Sequence, residues 1–235
     1  MPPTSPELPK LLATASAADQ GLDGLPPAPC AAALGLDGLT ISLRNNSSIE
    51  LVWYDPGDTA GLALDDLQYT LGEGPTWDAA HTGQPAIAPD LHTTPEHRWP
   101  ALLPATRDQP THAVIALPLN LGAIRLGVLT GHRATPGPLT RAQMADMFSL
   151  TETAVLLLLS PSSPHDNAGD NHSPLPLHRA LIHQAAGALT VRLDIPIDQA
   201  LARLRAYSFT HARPILDIAH DVVHGRSNLN DSPPN

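Results

Sequence analysis

Apolar and polar positions change their rhythm several times along the chain. Leu39 to Arg44 (LTISLR) and Ile49 to Tyr54 (IELVWY) are short alternating or continuous apolar runs separated by Asn45-Asn46-Ser47-Ser48. Ala113 to Leu119 (AVIALPL) and Ala123 to Gly131 (AIRLGVLTG) repeat the arrangement around Asn120-Leu121-Gly122. Period-two apolar runs broken by Asn, Ser and Gly predict strands joined as antiparallel hairpins. Upstream, Pro6 to Ala18 and Pro29 to Leu34 have helical composition, interrupted by the Gly/Pro-rich QGLDGLPPAP. From Thr140 to Leu158 the spacing becomes helical, with Thr140 as N-cap and Met144, Met147, Phe148, Ala154, Val155 and Leu158 on one face. A sheet flanked by helices from both ends of a segment predicts an α+β domain.

The pattern then stops. Ser160 to Pro176 (SPSSPHDNAGDNHSPLP) offers almost nothing to bury and has the composition of a flexible linker. His165, Asp166, Asp170 and His172 within it are read as solvated linker residues, not a metal cluster. Helical spacing resumes afterwards in three pieces. Leu177 to Val191 sets Leu181, Ala185, Ala188 and Leu189 on one side. A second piece after Pro196 buries Ile197, Ala200, Leu201 and Leu204. A third, from Pro214, buries Ile215, Ile218, Ala219, Val222 and Val223 and stops at Gly225. The expected organisation is an N-terminal extension (1–28), a sensor domain (29–159), a linker (160–176), an all-α three-helix bundle (177–229) and a short tail (230–235).

Composition sharpens this outline. Apolar residues make up 42% of the 235 residues but aromatics only 3%, so the core must be aliphatic. Cys30 is the only cysteine, which excludes an internal disulfide framework and an all-cysteine metal site and suggests a reducing compartment. No signal-peptide pattern opens the chain, and Arg141, Asp146 and Glu152 argue against a membrane span at 140–158, so a cytoplasmic location without a membrane partner is expected. The net charge of −10 argues against nucleic acid until it is resolved along the chain. From Leu177 to Leu229 six arginines face four aspartates, a local charge of +2 that leaves −12 for the remainder. Five histidines in the same stretch (His178, His183, His211, His220, His224) add to it when protonated.

Two stretches resemble known families. Thr70 to Leu91 (TLGEGPTWDAAHTGQPAIAPDL), His97 to Leu102 (HRWPAL) and Ala113 to Leu129 together resemble the GAF domains of actinobacterial regulators. Ile182 to Val223 (IHQAAGALTVRLDIPIDQALARLRAYSFTHARPILDIAHDVV) resembles the ANTAR domain, an RNA-binding antitermination module. The latter match falls on Gln184-Ala185, Gly187, Ala200, Leu204-Arg205, Ile218-Ala219 and Val222-Val223. The resemblance implies a GAF-like antiparallel sheet flanked by helices, followed by an ANTAR bundle. It also implies a homodimer whose helices pair around Met147 and Leu158, and RNA stem-loops as the partner of the bundle. For the sensor it implies an unidentified small molecule or regulatory protein. The chain departs from the pattern at Thr76, Ala186 and Ser208 and in the weakly basic His224-Gly225-Arg226, which implies a shallow salt dependence of RNA binding.

Gln184, Arg192, Arg203, Arg205, Arg213 and Arg226 are the candidate RNA contacts, with Arg179 beside them, because a guanidinium forks phosphate and stacks on bases. Phe209 is read as closing the bundle core. Glu73, Trp53 and Trp77 are the candidate ligand-binding residues of the sensor, with a plain surface turn as the competing reading for Glu73. Asp90, His92 and His97 share a Pro/Thr-rich loop and are read as solvated. No nucleophile motif, phosphate loop or zinc spacing is present, so no catalytic residue, metal or cofactor is assigned. The competing function is a small-molecule-sensing or protein-interaction scaffold without direct RNA binding.

Overall fold

A computed structural model describes residues 7–18, 20–45, 48–160, 179–211, 213–227 and 229. The expected linker from residue 161 onward and the tail 230–235 lie outside the described residues, as does His178.

The N-terminal part is built on five antiparallel strands: β1 (Gly38–Asn45), β2 (Ser48–Tyr54), β3 (Ala86–Ala88), β4 (Ala113–Leu121) and β5 (Ile124–Arg133). Their order is β2-β1-β5-β4-β3. Both expected hairpins form, with Asn45 paired to Ser48 and Leu121 to Ile124. Alternation along the strands gives the sheet two different faces. Leu39, Ile41, Ile115, Leu117, Leu119 and Leu129 point to one of them and pack beneath α1 (Glu7–Ala17), α2 (Pro27–Leu34) and α6 (Arg141–Leu159). Leu8, Ala15, Leu22 and Leu25 belong to this core, so the N-terminal extension is an integral layer of the domain.

Thr140 caps α6 with a reciprocal capping box through Gln143, whose amide also reaches the carbonyl of Leu34 and ties α6 to α2. By length and composition alone α6 could cross a membrane. Here it lies over the sheet with Met147, Leu150, Ala154 and Leu157 buried. Phe148, expected on the apolar face, is instead 45% exposed, together with Leu156 and Leu159. Met147 is fully buried in the core and is unavailable to a seam between copies, so the uncovered apolar groups of α6 are Phe148, Leu156 and Leu159.

The other face carries Thr40, Ser42, Ala116, Val128, Thr130 and His132 and is roofed by α3 (Thr59–Leu71), α4 (Pro75–Thr82) and α5 (Leu102–Ala105). Asp58 caps α3 by accepting from Gly61 N–H, and Gly72 closes the helix at φ 68°. Gly74, at φ 125°, leads into α4, and a Cβ there would stand 2.6 Å from Gln68 Oε1, the atom that accepts from Thr76 N–H.

The C-terminal part is α7 (Ala180–Leu193), α8 (Ile197–His211) and α9 (Ile215–Val223). Ile182, Ala185, Leu189, Ala200, Leu201, Leu204, Ile218 and Val222 form its core. Asp194 takes the left-handed conformation that ends α7, at φ 53°. Phe209 does not close this core but is 62% exposed. On α8 the inward stripe runs Leu201, Leu204, Ser208, and the next residue falls about 100° round the helix, onto the outer side.

Candidate functional site

The bundle is fastened to the N-terminal domain by charge. Arg179, at the start of α7, is fully buried; it donates to the carboxylate of Asp65 and, at 3.1 Å, to that of Asp66, both on α3. Its guanidinium also lies 4.0 Å over the ring of Tyr69, one turn further along the same helix. Burial alone would lower its pKa, but the two carboxylates outweigh it and Arg179 remains a cation. One turn into α7, His183 Nε2 lies 2.9 Å from Glu50 Oε1 on β2. The Glu50 carboxylate raises the pKa of His183 against burial and the neighbouring Arg179 and Arg205. Burial would raise Glu50 in turn, yet His183, the Ser48 hydroxyl and Arg179 hold it below the ordinary carboxylate range.

Arg205 on α8 completes this seam. Its guanidinium stands 4.5 Å from the Tyr69 ring centroid, 5.8 Å from that of Trp77 and 3.4 Å from Ser48 Oγ. Of the candidate RNA contacts, Arg205 therefore faces the N-terminal domain. A cavity of about 550 Å³ opens along the same seam, between Leu67, Leu71 and Ala105 on one side and Phe209, Arg213 and Ile215 on the other.

Gln184, Arg192, Arg203, Arg213 and Arg226 are exposed. Three of them gather around α9: Arg192 donates to Val222 O at 3.0 Å, while Arg213 and Arg226 share Asp221, at 2.8 and 3.0 Å. The two guanidinium groups hold Asp221 below its ordinary pKa, and one carboxylate between two arginines leaves the cluster positive. His220 and His224 lie beside it, their rings tilted at 45° with centroids 4.1 Å apart. Gln184 and Arg203 lie on α7 and α8, apart from this cluster in sequence.

The three candidate ligand residues of the N-terminal domain are not brought into one site. Trp53 sits in the core under α1, α2 and α6 and donates from Nε1 to Leu25 O at 2.8 Å. Glu73 accepts from the backbone N–H groups of Ala101 and Leu102, at 2.5 and 2.6 Å, and so fixes the start of α5. Trp77 is buried on the opposite face of the sheet, stacked on His81 and close to Arg205. That face has its own polar groups. Thr76 and Thr130 hydroxyls lie 3.0 Å apart, Ser42 donates to Asp65, and His132 Nε2 lies 2.9 Å from Asp58 Oδ2. Gly38 and Gly61 leave the room that the Asp58–His132 pair needs, since a Cβ on either would fall within 2.2 Å of Asp58 Oδ2. Asp90 and His92 do cluster with an imidazole, but it is His112, not His97.

Residues 177–223 match the ANTAR domain family. The C-terminal bundle is an ANTAR domain. Ahead of it, the N-terminal domain has the GAF fold. It is similar to the GAF domain of an Acinetobacter phosphoenolpyruvate-protein phosphotransferase, with 15% identity, a TM-score of 0.50, and 71% of this chain and 96% of that one covered. A GAF domain from a Coxiella burnetii phosphoenolpyruvate-protein phosphotransferase gives 16% identity, a TM-score of 0.48, and 66% and 95% coverage. Free methionine-R-sulfoxide reductase of Neisseria meningitidis gives 16%, 0.47, and 65% and 86%. Among curated proteins none matches the sequence. The chain thus carries an ANTAR domain behind a domain of the GAF fold.

Proposed function

We propose that the chain is a cytoplasmic regulator of transcription antitermination: its ANTAR domain grips RNA stem-loops, and its GAF-fold domain decides when. The observation that carries this is the ANTAR match over residues 177–223. The positive group formed by Arg192, Arg213 and Arg226 around α9 supports it, since phosphate contacts need exposed cationic groups. The control arises at the seam. Docking on α3 and β2 holds Arg205 against Tyr69 and Trp77, so undocking adds a guanidinium to the RNA-facing set. A small molecule in the seam cavity, or a regulatory protein displacing the bundle, touches both domains at once and shifts that equilibrium. The chain acts as a homodimer in this reading, paired through Phe148, Leu156 and Leu159 of α6.

Fluorescence anisotropy of the full chain against labelled stem-loop RNA, across a salt series, tests the proposal. Binding should weaken with salt, and Arg192→Ala combined with Arg226→Ala should weaken it and flatten the slope. Binding unaffected by both changes sinks it. The excess of acidic residues keeps a second reading in play, in which the bundle docks a protein partner. A pull-down with nuclease separates the two, because a partner retained after RNA removal favours the scaffold.

A further inference from the structure

Away from the domain seam, the chain leaves β3 and re-enters the sheet at β4 at one corner of the GAF-fold domain. Asp90, His92 and His112 each present a ligand atom there, and all three atoms lie within 4.8 Å of one another. We propose that this corner binds a divalent first-row transition cation, of which zinc is the representative, through two imidazole nitrogens and one carboxylate oxygen.

The backbone is already built for it. Leu91 N–H donates to His112 O at 2.7 Å, and His112 N–H to Arg133 O at 3.0 Å, so the β3 exit and the β4 entry are clamped side by side. Asp90 is held by His92 N–H, which donates to its Oδ1 at 3.1 Å, and by the Thr94 hydroxyl, which donates to its carbonyl at 2.8 Å. Three side chains on clamped backbone need little ordering to meet one ion.

The distances point the same way. His112 Nδ1 lies 3.5 Å from Asp90 Oδ1. A charge-assisted N–H···O bond closes to about 2.8 Å. Two ligands on one tetrahedral ion, each bonded at about 2.1 Å, stand roughly 3.4 Å apart. His112 Nδ1 is buried and makes no hydrogen bond among the described residues, so this nitrogen, turned toward the Asp90 carboxylate, is not committed to a protein partner. The rings of His92 and His112 lie 4.3 Å apart at 60°, and His92 is exposed, so a side-chain rotation brings its nitrogen onto the same point. Two imidazoles and a carboxylate suit zinc or iron(II) better than magnesium or calcium, which favour all-oxygen sites. Three protein ligands leave a coordination position for water, and a cleft of about 300 Å³ that includes His92, Glu96 and Arg107 in its lining opens there.

The test is zinc binding to the full chain by competition with a chromophoric chelator, with cobalt(II) absorption as a second readout. One equivalent should bind, and His92→Ala should weaken it at least about tenfold, the lower range for loss of a supporting group around a metal. His92 is exposed, so this variant keeps the fold; the combination with His112→Ala should abolish the site. A control with His165→Ala and His172→Ala should keep the equivalent. No bound equivalent in the unaltered chain, or one that survives His92→Ala at full affinity, overturns the proposal.

Discussion

Arg179 is the bolt of the domain seam, and its removal has a calculable consequence. In Arg179→Ala the Asp65 carboxylate, only 5% exposed, keeps the Ser42 hydroxyl at 3.3 Å as a neutral donor and loses its cation. Breaking a buried pair from one side costs about 3–5 kcal/mol. The stacking of the guanidinium on Tyr69 adds up to about 2 kcal/mol when desolvated. Taking the ion pair alone, the docking equilibrium moves by about two to three and a half powers of ten, at about 1.4 kcal/mol for each. Hydrogen exchange in the native state reads this directly, because α3 and α7 amides covered by the seam exchange through its opening. Protection of both helices should fall by that factor while β4 and β5 stay protected. Adding Asp65→Asn to Arg179→Met should restore much of the loss, since a pair replaced on both sides leaves no buried charge. Unchanged protection in Arg179→Ala, or no recovery in the double variant, refutes the reasoning.

His183, whose pKa is raised by docking, contributes fully below its ordinary value near 6.5 and loses its contribution as pH rises through the raised value. Glu50, whose pKa is lowered, contributes above the ordinary carboxylate value and fails as pH falls through the lowered one. Docking followed by exchange against pH should therefore weaken on both flanks, with Glu50→Gln removing both, since it takes away the titrating carboxylate and the group that raises His183. Gly74→Ala should lower thermal stability by about 1–3 kcal/mol through its φ of 125°, read as a shift in Tm; an unchanged Tm counts against the assigned backbone. If α6 pairs between copies, Phe148→Glu with Leu156→Glu should halve the mass measured by light scattering, and an unchanged mass removes that seam.

The parts legible in the sequence were those set by local periodicity. Alternation placed both hairpins, Thr140 marked α6, and three apolar stripes with Pro196 and Gly225 gave the ANTAR helices. The third sheet strand, Ala86–Ala88, is too short to show a period. Helix α3 had its signals, Asp58 at one end and Gly72 at the other, but Asp65 and Asp66 interrupt its apolar stripe because they face Arg179 instead of water. That contact spans more than a hundred residues, so the sequence presents Arg179 as one more solvated helix cation. Phe209 is outside the core and Ser208 inside it, where Ser208 Oγ donates to Arg213 O and ties the α8–α9 corner from within. His112 was missed as a neighbour of Asp90 for a topological reason, since only antiparallel pairing of β3 with β4 brings 90 and 112 together.

The central claim is that an RNA-binding ANTAR domain is held in check by its seam with the GAF-fold domain. Its most direct test is stem-loop RNA affinity of the full chain against that of Arg179→Ala, each over a salt series. The account predicts salt-dependent binding in both, tighter in the variant, with a slope steeper by about one phosphate contact as Arg205 is released. Absent binding in both, or equal affinity and slope, would contradict it.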